Sequence, residues 1–161
     1  MVNKNKALMG GPPAGREDGD VAAGETLQPG MLAAIASVGV DGETVEIKAH
    51  DVDGEFSPFV VKKQAWYGDV EDDSAEAINE TIDAGDFVEV ARVNTGNRIL
   101  GRLAEDSTTT AGETRLVSDG TGGVRPVDGA GGEVVDSPYY LAREAITTAV
   151  GETSLIILEV L

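Results

Sequence analysis

His50 and Asp51 stand side by side, and an imidazole beside a carboxylate is a pairing that general acid–base chemistry uses. The same stretch continues as Asp51-Val52-Asp53-Gly54-Glu55, which has the acid spacing of the opening of a calcium loop. Further on, Asp69, Glu71, Asp72 and Asp73 form a denser group of carboxylates from which a catalytic pair could be drawn. Spacing weakens each of these. Neighbours on a strand point to opposite faces, so His50 and Asp51 are poorly placed to act together, and His50 reads as a strand-end or turn residue. A calcium loop needs a glutamate six residues after its glycine, and that position is Val60. With 29 acids in 161 residues, clusters arise from composition alone, so 69–73 reads as a solvated loop.

Other site chemistries are missing their residues. The chain has no cysteine, which removes disulfides, thiolate metal sites and cysteine nucleophiles. One histidine leaves little room for a zinc site or a histidine-based triad. There is no Gly-x-Ser-x-Gly elbow, no Walker A sequence and no Gly-x-Gly-x-x-Gly. The expectation is a non-enzyme with no catalytic residue, no metal ligand and no cofactor. Asn79-Glu80-Thr81 is a formal glycosylation sequon, read as chance.

Seven aromatic residues fall mostly in two places: Phe56, Phe59, Trp66 and Tyr67, then Tyr139 and Tyr140. Core packing is the simpler reading, and a protein interface, where Trp and Tyr anchors are enriched, is the functional one.

Charge is unevenly placed. Residues 1–16 hold Lys4, Lys6 and Arg16 and no acid, so against a total of −17 the remaining residues carry −20. Such a surface repels phosphate backbones and argues against nucleic acid as a partner. Five lysines against seven arginines and twelve threonines, with abundant acid, is a composition suited to molar-salt cytoplasm. At about 1 M salt the Debye length is roughly 3 Å, so carboxylate repulsion hardly opposes folding. Apolar runs such as Leu155 to Leu158 are far short of the roughly 20 residues that span a bilayer, and Lys4 and Lys6 precede only Ala7-Leu8-Met9, so neither a membrane span nor a secretory signal is read.

The elements that would position these groups are strands. Residues 1–24 hold seven glycines or prolines around Gly10-Gly11-Pro12-Pro13 and no apolar periodicity, which predicts an extended basic arm with no core of its own; residues 25–161 form the β-rich domain. Strands are predicted at Met31 to Val38, Glu43 to Ala49, Pro58 to Trp66, Asp86 to Val93, Arg98 to Ala104, Glu113 to Ser118, Gly123 to Asp128, Tyr139 to Thr148 and Thr153 to Val160, with residues 137–146 open to a second reading because Ser137-Pro138 also resembles a helix start. Turn chemistry marks each break, including Asn94-Thr95-Gly96-Asn97 and a Gly-Glu-Thr phrase that begins at Gly24, Gly42, Gly112 and Gly151. The fold class is mainly β, a small antiparallel barrel or sandwich with at most one short helix, Ser74 to Ile82. Two Gly-x-Gly-Gly segments, at Gly120 and Gly129, read as a flexible flap.

Several phrases together carry a family likeness: Pro58-Phe59-Val60-Val61-Lys62, Ala84-Gly85-Asp86-Phe87-Val88, Tyr139-Tyr140-Leu141-Ala142-Arg143-Glu144-Ala145, and Val150-Gly151-Glu152-Thr153 before a closing apolar strand. Over residues 25–161 the chain resembles the small head-decoration, or capsid cement, proteins of tailed viruses, and its acidity points to a virus of halophilic archaea. The acidic insert at Asp69 to Asp83 and the glycine-rich 119–132 depart from that pattern. The resemblance implies binding to the outer surface of the major capsid shell, as a homotrimer that stabilises capsomer contacts on a virion assembled in the host cytoplasm. Lys4, Lys6 and Arg16 on the arm, with Trp66 and Tyr67, are the expected partner-binding residues. The alternatives are a small trimeric β hydrolase resembling a nucleotide pyrophosphatase, whose glycine-tyrosine motif is absent, and a β-sandwich binding module of a virus tail or surface complex.

Overall fold

The computed structural model describes residues 16–19, 21–22, 25–38, 45–62, 81–128 and 139–161. Eleven strands run in chain order: β1 (Arg16–Gly19), β2 (Val21–Ala22), β3 (Leu32–Val38), β4 (Val45–Ala49), β5 (Phe59–Val61), β6 (Val88–Arg92), β7 (Arg98–Leu103), β8 (Arg115–Ser118), β9 (Val124–Pro126), β10 (Tyr140–Ala142) and β11 (Ser154–Val160). The described residues contain no helix. Residues 74–80 of the expected short helix lie outside them, and its last residue, Ile82, forms an antiparallel bridge with Leu27 instead of a helical turn.

The first six strands form one sheet in the order β1-β6-β5-β3-β4-β2. Five flat strand spacings would set β1 about 24 Å from β2. Yet only residue 20 separates Gly19 from Val21, which keeps those two Cα atoms within about 8 Å. The sheet therefore curls until β6, paired antiparallel with β1, and β4, paired parallel with β2, both reach the 16–22 stretch. β1 and β2 fall within the stretch expected as an arm.

The remaining strands form a closed barrel, β10-β11-β7-β9-β8, with β8 returning to β10. Its pairings are antiparallel except β7 with β9, which is parallel at Leu103 and Val124. Leu155 to Leu158 is unbroken because β11 is buried on both faces. Ile156, Leu158 and Val160 point into the barrel, while Ile157 packs outside with Leu100 and Leu155. Segment 29–30 lies along that outer face, where Arg102 donates from Nε to the Pro29 carbonyl at 3.0 Å.

One core joins barrel and sheet: Ile99, Leu103, Leu116, Val124, Tyr140, Ala142, Ile156 and Leu158 of the barrel pack with Leu32, Val60, Ala91 and Val93. The other face of the sheet has its own core, Leu27, Ala33, Ile47, Ala49, Val61, Ile82, Val88 and Val90. Inside the barrel Gly101 leaves room for Leu158, since a Cβ there would stand 2.4 Å from Leu158 Cδ1. Gly101→Ala is expected to cost about 1–3 kcal/mol by overpacking, read as a lower denaturation midpoint in molar potassium chloride. Combined with Leu158→Val, the loss should be smaller than the sum of the two single losses.

Candidate functional site

His50 follows β4 directly, and burial of that strand end carries the ring into the seam between sheet and barrel. Its Nδ1 lies 2.8 Å from Ser118 Oγ at the end of β8, and that oxygen also accepts the Gly120 N–H at 3.1 Å. Burial pulls the His50 pKa below its ordinary 6.5, against the opposing pull of Glu55, Asp51 and Asp119, so the ring is neutral at pH 7. A hydroxyl beside an imidazole is the geometry of a nucleophile and its base. Here Ser118 has 0% exposure, so no substrate carbonyl reaches it. The pair works as a polar pin across the seam, flanked by backbone bonds from Leu32 N to Gly122 O (2.7 Å), Gly122 N to His50 O (3.1 Å) and Gly54 N to Ser118 O (2.9 Å).

The glycine segment after Ser118 is fixed in place. Asp119 Oδ1 accepts the N–H groups of Thr121 (2.7 Å) and Gly123 (2.9 Å) and the Thr121 hydroxyl (2.9 Å). Gly122, at φ +86°, presses so near the sheet that a Cβ would stand 2.6 Å from Met31 Cε and 3.1 Å from Ala49 Cβ. The expectation of a flexible flap at Gly120 to Gly123 is therefore corrected: a side-chain carboxylate and close packing hold it. The second segment, at Gly129, lies outside the described residues.

Two of the three carboxylates of the would-be calcium loop, Asp51 and Asp53, are committed to cations of the chain. Asp53 receives Arg125 in a two-point contact, Nε to Oδ1 at 2.7 Å and Nη2 to Oδ2 at 3.3 Å, which holds its pKa below the usual carboxylate value. Asp51 is bonded by Lys48, with the same direction of shift. On the barrel exterior Glu159 takes Arg143 and Arg98, and its pKa is lowered, chiefly by the Arg143 hydrogen bond.

Of the aromatic residues, Tyr139 and Tyr140 are core. The Tyr140 ring lies 5.2 Å from the Phe56 ring, tilted 32° to it, and its hydroxyl donates to the Ser57 carbonyl at 2.5 Å while accepting the Ser57 N–H at 3.3 Å. Burial pushes the Tyr140 pKa up, which keeps the phenol protonated as donor. Ser57 in turn donates its hydroxyl to the Ala33 carbonyl of β3 at 2.5 Å. Lys4, Lys6, Trp66 and Tyr67, expected as partner contacts, and the acids from Asp69 to Asp73 lie outside the described residues. Arg16 is on β1, opposite Ala91.

A surface that the sequence reading passed over stands at the far end of β3. Ile35 and Val38 are 48% and 57% exposed although they sit in a paired strand. The available signal was Ala34-Ile35-Ala36-Ser37-Val38, where apolar alternation slips by one residue. The slip is a bulge between Ile35 and Ser37 that sets Val38 opposite Val45.

The architecture defines the class as a two-sheet β protein, a curled sheet fused to a closed five-stranded barrel. Among solved structures, the chain is similar to the crystal structure of the head fiber gp8.5 N base in bacteriophage phi29, with a TM-score of 0.56 at 16% identity, over 91% of this chain and 95% of that one. No protein-family model matches the sequence, and no curated protein does. At that identity the likeness shows a shared fold.

Two measurements follow from the seam. Tyr140→Phe leaves both backbone groups of buried Ser57 without their partner and is expected to cost about 1–3 kcal/mol in urea unfolding. Because folding lowers the His50 pKa, the unfolded chain binds the extra proton first, and stability should fall as pH drops below 6.5. His50→Gln should remove that slope and leave the separate carboxylate-linked loss near pH 4 intact.

Proposed function

We propose that the chain is a structural component of a tailed-virus particle, bound as a homotrimer to the outer surface of the major capsid shell, where it stabilises contacts between capsomers. The observation that carries this reading is the extent of the likeness: a phage head fiber base shares the fold over 91% of this chain and 95% of its own. A likeness that leaves little of either chain over concerns the whole assembly of sheet and barrel, not one common motif. The sealed Ser118 hydroxyl and the cation-paired Asp51 and Asp53 agree with a role in binding rather than turnover. The −17 charge in 161 residues supports a particle assembled in molar salt, such as a virus of halophilic archaea. Trp66 and Tyr67 are the proposed aromatic anchors to the shell.

Sedimentation in molar salt, with and without assembled capsid shells, tests the reading. A mass of three chains that pellets with shells, and labels from outside without opening them, is the expected result. A chain that stays in the supernatant overturns it.

A further inference from the structure

The two outer edges of the β3–β4 pair are treated differently. β4 is covered on its outer side, by β2 at Glu46 and Ile47 and then by the Glu25 carboxylate, which accepts the Ala49 N–H at 2.6 Å. β3 pairs with β5 only at Leu32 and Ala33, although it runs with β4 as far as Val38. From Ala34 to Val38 the side away from β4 therefore carries backbone donors and acceptors with no strand against them among the described residues. These five residues include no charge and no proline, the usual means of blunting an edge.

An apolar strip lies beside that edge. Ala33 is opposite Ala49 and Ile35 opposite Ile47, so Ile35 shares the face of the second core. The bulge then returns Val38 to the level of Val45, and Ile35, Val38 and Val45 extend that face beyond its buried part. Open backbone groups with apolar side chains alongside are what an added strand uses, the first for affinity and the second for register.

Charge and reach select the occupant. Residues 17–161 carry −20, Asp41 and Glu43 stand in the sequence between β3 and β4, and Glu46 is on β4, so an acidic strand is repelled. Residues 1–16 are the basic stretch of the chain, and within them Asn3-Lys4-Asn5-Lys6-Ala7-Leu8-Met9 is free of glycine and proline. Pro12 and Pro13, which have no N–H to give to a ladder, stand in the sequence between that segment and β1. The register gives its starting point: Arg16 is level with Ala91, Ala91 with Val60, and Val60 with Leu32. Six residues span at most about 20 Å, the distance from the level of Leu32 to that of Val38. A segment 3–9 that continued the line of β1 would begin where its own β3 ends, and would have to double back to lie along it.

We propose that the edge of β3 from Ala34 to Val38 receives residues 3–9 of a second copy of this chain as an added strand, so that neighbouring copies exchange their N-terminal segments. Each copy offers one segment and one edge, a heterologous contact that closes a ring with every edge filled. This goes beyond attachment to a shell, since the contact is between copies and needs no capsid.

The test uses three forms of the protein in molar potassium chloride: the full chain, a form lacking residues 1–9, and the full-length double variant Ile35→Lys with Val38→Lys. The expected result is an oligomer for the full chain by light scattering and monomers for the other two, all with the same circular dichroism. A fluorescent peptide of residues 1–11 should bind the truncated form saturably, and roughly tenfold or more weakly once Ile35→Lys and Val38→Lys are added to it. A truncated form that stays oligomeric overturns the exchange, as does a full chain that is monomeric. Failure of the peptide to bind the truncated form overturns the edge as its site. Loss of shell binding with these outcomes unchanged bears on the capsid reading alone.

Discussion

Ser57 is the point on which sheet and barrel depend. Fully buried, it is bonded through its hydroxyl to the Ala33 carbonyl and the Phe59 N–H, and through its backbone to the Tyr140 phenol. One residue therefore ties β3, β5 and β10 in a place where water cannot replace a missing partner. The constraint behind it is general: the two sheets share one apolar core, so backbone groups between them are desolvated and must find partners in each other. His50 with Ser118 meets the same requirement at the other end of the seam, and backbone bonds through Leu32, Gly54 and Gly122 fill the interval.

This constraint explains the small residues at the seam. A closed barrel and a curled sheet each present a convex backbone, and they approach closely only where side chains are short. Gly122 lies against Met31 and Ala49, and Gly120 stands so near Asp53 that a Cβ would meet its backbone N at 3.2 Å. Both hold positive φ, at +86° and +76°, which glycine adopts at little cost. The same carboxylate-capped turn that permits these angles also returns the chain into β9, so one short loop closes the barrel and docks the sheet.

Nine strands were legible because each buries at least one face, and burial writes an apolar alternation into the chain. Val45 to Ala49 and Ser154 to Val160 are the clearest cases, with the core face at every second residue, whereas of the stretch Tyr139 to Thr148, which also resembles a helix start, only Tyr140 to Ala142 is strand. β1 and β2 were not legible. Arg16-Glu17-Asp18-Gly19 has no apolar pattern, and its place comes from the open edge of β6, a partner 69 to 75 residues away that local reading cannot see. The Gly120 to Gly123 turn was misread for a related reason: composition reports flexibility, whereas the Asp119 carboxylate that removes it is a tertiary fact. His50 was rightly read as a strand-end residue, but its partner Ser118 stands 68 positions on.

The acids have a different place in the structure from the core. Asp53, Asp51 and Glu159 each sit beside a lysine or arginine; Asp53 and Asp51 are largely solvent-facing and Glu159 is partly buried, and exposed pairs of this kind contribute little to stability. With 29 acids and 12 bases, most carboxylates have no cation to meet, so the surface repels itself in dilute buffer. Salt relieves that repulsion without touching the seam, whose neutral hydrogen bonds are buried and unscreened. It also leaves the hydrophobic core intact, and excluded ions tend to reinforce it. The division is thus between a neutral interior, which sets the fold, and a charged exterior, which sets the solvent in which that fold is stable. An added strand at β3 would belong to the first part, since backbone bonds and the Ile35–Val38 strip retain their strength in salt that weakens steering by Lys4 and Lys6.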